Sequence, residues 1–179
     1  MKAIKTQYKY IFMTALLSFF GCGTGNYLPL DTVDNVNIQK YLGKWYEIAR
    51  LPNSFEKNCY AVTAEYSLID SETVRVINSA RKDSVNGEID QAKGKAFLVE
   101  NSGNAKFRVQ FFWPFRGDYW IIDLDKEKYS YAVVGEPGRK YLWILAREPQ
   151  MDEALYNDLV KKCKQKGFDT SLLIKTVKG

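Results

Sequence analysis

From residue 43 onward, apolar and polar positions alternate in short runs, each closed by Gly, Pro, Asn or Asp. The runs are KWYEIARL (44–51), YAVTAEYSL (60–68), TVRVINSAR (73–81), EIDQAKGKAFLV (88–99), AKFRVQFFW (105–113), DYWIIDL (118–124), YSYAVVGE (129–136) and YLWILAR (141–147). A period of two bounded by turn residues marks a half-buried strand, so the pattern predicts eight strands in series. The segments between them (DSET, SVNG, NSGN, PFRG, DKEK, EPGRK) are short enough for hairpins between antiparallel neighbours. All five prolines fall in turns or loops and leave the ladders intact.

The period then changes. In MDEALYNDLVKKCKQKGF, Met151, Leu155, Leu159 and Cys163 recur every four residues, Asp152 and Glu153 open the segment, and four lysines crowd its end before Gly167. That is an amphipathic helix with charges matched to its dipole and a glycine stop, followed by a short strand in SLLIKTV. One helix cannot cover both faces of eight strands. The expected fold is therefore all-β: an eight-stranded antiparallel up-and-down β-barrel with one C-terminal α-helix packed outside and a short final strand.

Alternation nominates the interior. Phe107, Val109 and Phe111 share one face against Lys106, Arg108 and Gln110; Tyr66 lies with Ala64; Val74, Val76 and Asn78 oppose Arg75 and Arg81; Trp143 and Leu145 lie with Arg147. Tyr119 begins the sixth strand. The set is aromatic and aliphatic with a few polar tips, the composition of a pocket for a lipid-like molecule. An eight-stranded barrel is equally compatible with a core filled by side chains, and alternation alone leaves both open.

The 179 residues carry a formal net charge of +5, but the charge is uneven. Lys2, Lys5 and Lys9 precede the apolar run YIFMTALLSFF, too short to cross a bilayer, and the pattern predicts a signal peptide over residues 1–21. Its end, LLSFFGC, resembles the lipobox of bacterial lipoproteins, with Phe19 where leucine is usual; that resemblance implies cleavage before Cys22 and lipidation of its thiol. Without the signal the net charge falls to +2, which removes the main support for nucleic-acid binding. Residues 22–37 are turn-rich and are expected to be the lipidated N-terminus and tether, about fifteen residues spanning on the order of 20 Å. Residues 38–179 are expected to form the one domain.

The chain has no histidine, which argues against Ser-His-Asp and Cys-His nucleophiles and most catalytic zinc sites. No metal or cofactor is expected. Apart from Cys22, the cysteines are Cys59 and Cys163, which an oxidising compartment would allow to pair as a disulfide. Cys163 on the helix stripe can equally pack as a small hydrophobe.

GKWYEIARLP (43–52), YWIIDLDKEKYSYAVVGEP (119–137) and LWILAR (142–147) resemble, in order and spacing, the three signature regions of the lipocalin family, nearest its bacterial outer-membrane members and apolipoprotein D. The likeness spans nearly all of residues 36–178. It implies that Gly43, Trp45 and Arg147 are structural, the tryptophan plugging one barrel end beneath the arginine. It also implies ligand binding by Tyr66, Val76, Asn78, Phe107, Val109, Phe111, Tyr119 and Trp143, with a fatty acid or lysophospholipid such as a palmitate-derived lipid as the ligand. The combined expectation is a non-enzymatic, lipid-anchored carrier at the bacterial outer membrane, with a homodimer as a further state that the family implies. The alternatives are a structural or interaction lipoprotein with a filled barrel, and an isomerase of lipocalin type using Cys59.

Overall fold

The computed structural model describes residues 28–177. In chain order it contains α1 (Ile38–Tyr41), β1 (Gly43–Arg50), β2 (Cys59–Leu68), β3 (Thr73–Lys82), β4 (Ile89–Leu98), β5 (Lys106–Gln110), β6 (Gly117–Leu124), β7 (Tyr131–Gly135), β8 (Leu142–Ala146), α2 (Glu153–Gln165), a 3₁₀ turn at Thr170–Leu172, and β9 (Ile174–Lys175). Strands β2 to β8 pair consecutively, β8 pairs with β1, and β1 returns to β2. All the pairings are antiparallel, so the eight strands close into an up-and-down barrel. The fold expected from the pattern is the fold observed.

Closure is incomplete along one seam. β1 and β2 pair only from Gly43↔Tyr66 to Tyr46↔Thr63, the first half of β1 against the later part of β2. Beyond that point both strands carry irregularities, a register shift between Glu47 and Ala49 in β1 and one between Tyr60 and Thr63 in β2. The C-terminal segment occupies the gap: β9 pairs with Ala49 and Arg50, Thr176 N donates to Ile48 O (2.9 Å), and Ala61 N donates to Val177 O (2.8 Å). An unpaired edge is thereby covered.

Two apolar clusters follow from the pleat. The interior cluster includes Trp45, Tyr66, Val76, Phe107, Ile121, Val134 and Leu145. The second lies between the outer wall and α2, where Tyr156, Leu159 and Cys163 meet Ile48, Ile122, Val133 and Ile144. Asp152 caps α2 by accepting from Leu155 N at 3.0 Å, as its position before the helical run predicts. Residues 28–37, turn-rich in sequence, run along the barrel: Leu30 and Val36 are buried, and Val33 N donates to Ile121 O at 3.0 Å. One strand is shorter than its pattern. The run ending at Trp113 stops pairing at Gln110, and Phe112, Trp113 and Phe115 turn out into an exposed loop.

The barrel has a closed end and an open end. Trp45 is fully buried and donates its indole N–H to Tyr41 O at 2.8 Å, and the Arg147 guanidinium lies 3.8 Å from the centre of its ring. Arg147 also donates to four carbonyls of the entering chain: Lys40 O (2.6 Å), Tyr41 O (3.2 Å), Leu42 O (2.9 Å) and Lys44 O (2.8 Å). Gly43 sits between them at φ +89°, a region a side chain rarely adopts. These contacts form a floor. Trp45→Ala should lower stability in urea unfolding by about 3–5 kcal/mol through loss of a buried indole. Arg147→Lys, which keeps the charge but loses the planar fork, should lower it by about 2 kcal/mol; an unchanged urea midpoint for either variant would contradict this account of the floor.

Candidate functional site

Above Trp45 the interior is first a layer of tyrosines. Tyr119 Oη lies 2.7 Å from Tyr41 Oη and 2.9 Å from Tyr66 Oη, and Phe107 meets the Tyr119 ring edge-on at 5.9 Å between centres. Burial pushes all three phenols upward in pKa, Tyr66 to about 12, so they remain neutral donors. Three hydroxyl hydrogens share the two bonds of this chain. One is left for a further acceptor. The remaining void at this depth, bounded by Ile38, Leu42, Val74, Ala96 and Val109 with the tyrosines, is about 10 Å³, enough for at most one water.

Higher up, packing loosens. Ala64, Asn78, Val109, Phe111 and Trp143 are only partly buried although their strand faces point inward. Asn78 Oδ1 is buried without a hydrogen-bond partner. Phe111 lies over Gly94, where a Cβ would come within 2.8 Å of its ring. Trp143 does not join Phe111 and Tyr119 in one stack; it stacks with Tyr141 at 6.0 Å and 18° on the rim, and Phe55 packs beside it at 6.4 Å. Of the residues nominated from sequence, Tyr66, Val76, Phe107 and Tyr119 therefore sit in the lower, packed layer or at its edge. Val109 lies at the boundary, lining the small void from above, and Asn78, Phe111 and Trp143 sit where the interior opens.

The interior also holds an ionic cluster that alternation did not nominate. Glu47 pairs with Leu145, and Arg50 with Trp143, so both point inward. Strict alternation from Trp45 would put Glu47 inside but Arg50 outside; the bulge between Glu47 and Ala49 brings Arg50 back in. Arg50 Nη1 donates to Glu47 Oε1 at 2.6 Å, its Nη2 donates to Glu56 O at 2.8 Å, and its Nε lies 3.5 Å from Glu56 Oε2. Trp143 Nε1 donates to Glu56 Oε2 at 3.1 Å, while Thr176 Oγ1 donates to Glu47. The cluster ties β1, the β1–β2 loop, β8 and the C-terminal segment together at the seam. Glu47 was detectable as a charge on an inward position. Glu56 and Thr176 reach the cluster only through the fold.

The two cysteines remain apart in role. Both are free thiols, so the disulfide considered for Cys59 and Cys163 is not formed. Cys163 is buried under α2 in the outer cluster, and burial pushes its thiol up to about 12. Cys59, the first residue of β2, accepts from Lys82 Nζ at 3.5 Å. Packing of the helix stripe, rather than a crosslink, accounts for Cys163. Cys22 lies outside the described residues. A larger concavity, about 430 Å³, lies on the outer wall across β1–β4 and is lined by residues including Lys44, Tyr46, Glu65 and Gln91.

Two carboxylates share one buried guanidinium. Burial, and then the Glu56 charge, push Glu47 from 4.5 up to about 7, against the opposing pull of Arg50 and Thr176. A carboxyl with a raised folded pKa stabilises fully below its unfolded value, and that contribution is lost as pH rises through the folded one. Thermal stability should therefore decline from about pH 5 to about pH 8. Glu47→Gln should flatten this decline in melting scans across the same window; an unaltered pH slope would show that Glu47 does not hold its proton in the folded state.

The comparisons with known proteins converge on one family. A family model described as a lipocalin-like domain matches residues 36–178. The outer membrane lipoprotein Blc of Vibrio cholerae is 41% identical over 142 residues, covering 79% of this chain and 82% of that protein. Bovine apolipoprotein D is 32% identical, with 79% of each covered. Among solved structures, insecticyanin from the tobacco hornworm Manduca sexta superposes with a TM-score of 0.68 at 21% identity, covering 85% of this chain and 86% of that one, a likeness of fold. With the three motifs, the closed barrel and the Trp45–Arg147 floor in agreement, the chain belongs to the lipocalin family.

Proposed function

We propose that this lipocalin is a lipid-anchored carrier that binds fatty acids, lysophospholipids or similar apolar small molecules through its open barrel end at the bacterial outer membrane. The observation that carries the reading is the polarity gradient along the interior. The floor is sealed, the next layer is apolar with neutral phenols, and the upper layer is partly open with an unpartnered Asn78 Oδ1. Acyl chain would contact Phe107, Val109, Phe111 and Val76. Asn78 and Trp143, in the upper layer, would orient the head group, while Tyr66 and Tyr119 below them would meet the far end of the chain. The outer membrane lipoproteins among the relatives, together with Cys22 following an apolar leader, support the anchor and the location.

Binding by burial needs no bond to be made or broken. Each buried CH₂ contributes about 0.8 kcal/mol, so a long acyl chain gains on the order of 10 kcal/mol before association and ordering are subtracted. Affinities between micromolar and tens of nanomolar follow. The filled-barrel reading is favoured by one specific observation, the void of about 10 Å³ in the tyrosine layer, which leaves no room for an alkyl tail at that depth unless Tyr66 or Tyr119 moves.

Titration with a fluorescent fatty acid separates the two. A carrier should saturate, release the probe to lysophospholipid, and bind at least about tenfold more weakly when Asn78→Phe or Ala64→Phe narrows the opening. No saturable signal from a protein of unchanged melting temperature would favour the filled barrel. Mass spectrometry of protein purified from its own membrane should find an extractable lipid.

A further inference from the structure

The connections after β1, β3, β5 and β7 all turn at the end opposite the Trp45 floor, because the strands alternate in direction from Gly43 onward. Large apolar side chains are exposed at this end: Phe112 (78%), Trp113 (86%) and Phe115 (77%) in the β5–β6 loop, Phe55 (58%) in the β1–β2 loop, and Ile89 (62%) at the start of β4. Neighbouring aromatics displayed at a loop tip are not explained by packing within the barrel. Exposed Lys57, Arg116 and Lys140 lie among these loops, and the exposed carboxylates of the rim, Asp83, Glu88 and Asp90, belong to the β3–β4 side. Tryptophan and phenylalanine with interspersed cations suit the boundary between lipid head groups and acyl chains.

A second observation bears on the same end. Residues 28–37 descend the barrel wall to α1 and the floor, with Val36 N donating to Gly103 O at 2.8 Å near the bottom. At the top, Arg139 of the β7–β8 loop donates to Leu28 O at 2.7 Å. The described chain therefore begins, at Leu28, beside the mouth and not the floor. Cys22 is six residues earlier, a reach of at most about 20 Å. An acyl group on Cys22 would hold the mouth, and not the sealed end, against the lipid.

We infer that the open rim of the barrel, through Phe112, Trp113 and Phe115 with Phe55, docks onto a phospholipid bilayer, so that the cup opens onto the membrane surface and exchanges lipid there without crossing bulk water. This rests on the carrier and anchor reading above. It adds an orientation and a docking surface, and it predicts immersion of one particular tryptophan.

The full protein, purified from its own membrane, is reconstituted into vesicles of phosphatidylethanolamine and phosphatidylglycerol with bromine-labelled acyl chains. Subtracting the emission of Trp113→Tyr isolates Trp113 from the other three tryptophans. The docked rim predicts that bromolipid quenches most of the Trp113 emission and that aqueous iodide loses access to it. Phe112→Ser with Phe115→Ser should restore iodide access, while fatty-acid affinity measured without vesicles stays unchanged. Vesicle-bound protein whose Trp113 remains open to iodide overturns the docking and leaves the anchor standing. Failure to associate with vesicles overturns both. Trp113 shielded in vesicle-free solution and exposed again on dilution assigns the surface to a second copy of the chain and overturns the inference. Loss of fatty-acid binding in solution would instead strike the carrier reading, independently of where the rim lies.

Discussion

Arg147 is the group on which the asymmetry of the barrel depends. It leaves the end of β8, covers Trp45, and donates to carbonyls of Lys40, Tyr41, Leu42 and Lys44 as the chain passes from α1 into β1. Three of those carbonyls belong to the end of α1 and the turn into β1, where a helix leaves its last acceptors without intrahelical partners, and the guanidinium, with the Trp45 indole on Tyr41 O, satisfies them. A flat cation with a rigid fork of donors can satisfy several oxygens and still lie over an indole. Lysine cannot do both. The stacking is worth on the order of 1–2 kcal/mol, and the hydrogen bonds fix where the floor is. With one end sealed by a single side-chain pair and its donors, the other end can remain open without loss of the barrel's integrity.

A second constraint acts at the β1–β2 seam. Both strands leave regular register in their mouth-side halves, which would expose unpaired backbone, and the C-terminal segment supplies the missing partner on each side. Thr176 is thereby set against Glu47, and the bulge in β1 turns Arg50 inward to meet Glu47 and Glu56. Buried charge is tolerated only where it is paired and hydrogen-bonded, and here one guanidinium serves two carboxylates. The result is a polar latch on the upper wall linking the chain's last residues to the loop that carries Phe55 and to the indole of Trp143. The interior thus becomes more polar from floor to mouth, in the direction a head group would lie.

Regular alternation made most of the fold legible. Eight runs of period two, short turn-rich connections and a single helical stripe leave closure into a barrel as the way to cover the sheet, and the residues matching the family motifs mark Trp45 and Arg147. The inward faces of β2, β3 and β5 were readable because polar and apolar positions separate cleanly there. Reading failed where alternation was interrupted. AKFRVQFFW continues its apolar character past Gln110, yet the strand ends and the next aromatics face solvent, because hydrophobicity does not say whether a partner strand is still alongside.

The sequence by itself determined the element types, their order and the apolar character of the interior, since these follow from local period, and its resemblance to the family motifs implied the closed floor. Tertiary structure alone decided how much of that interior is filled, because a void is a property of side chains from several strands at once. It also decided that Arg50 points inward, that Thr176 meets Glu47 across 129 positions of chain, that Cys59 and Cys163 stay separate, and that Leu28 lies beside the mouth. Each of these depends on register, on a bulge, or on a contact between distant segments. No local pattern encodes them, because the energy that selects them comes from closing the sheet as a whole.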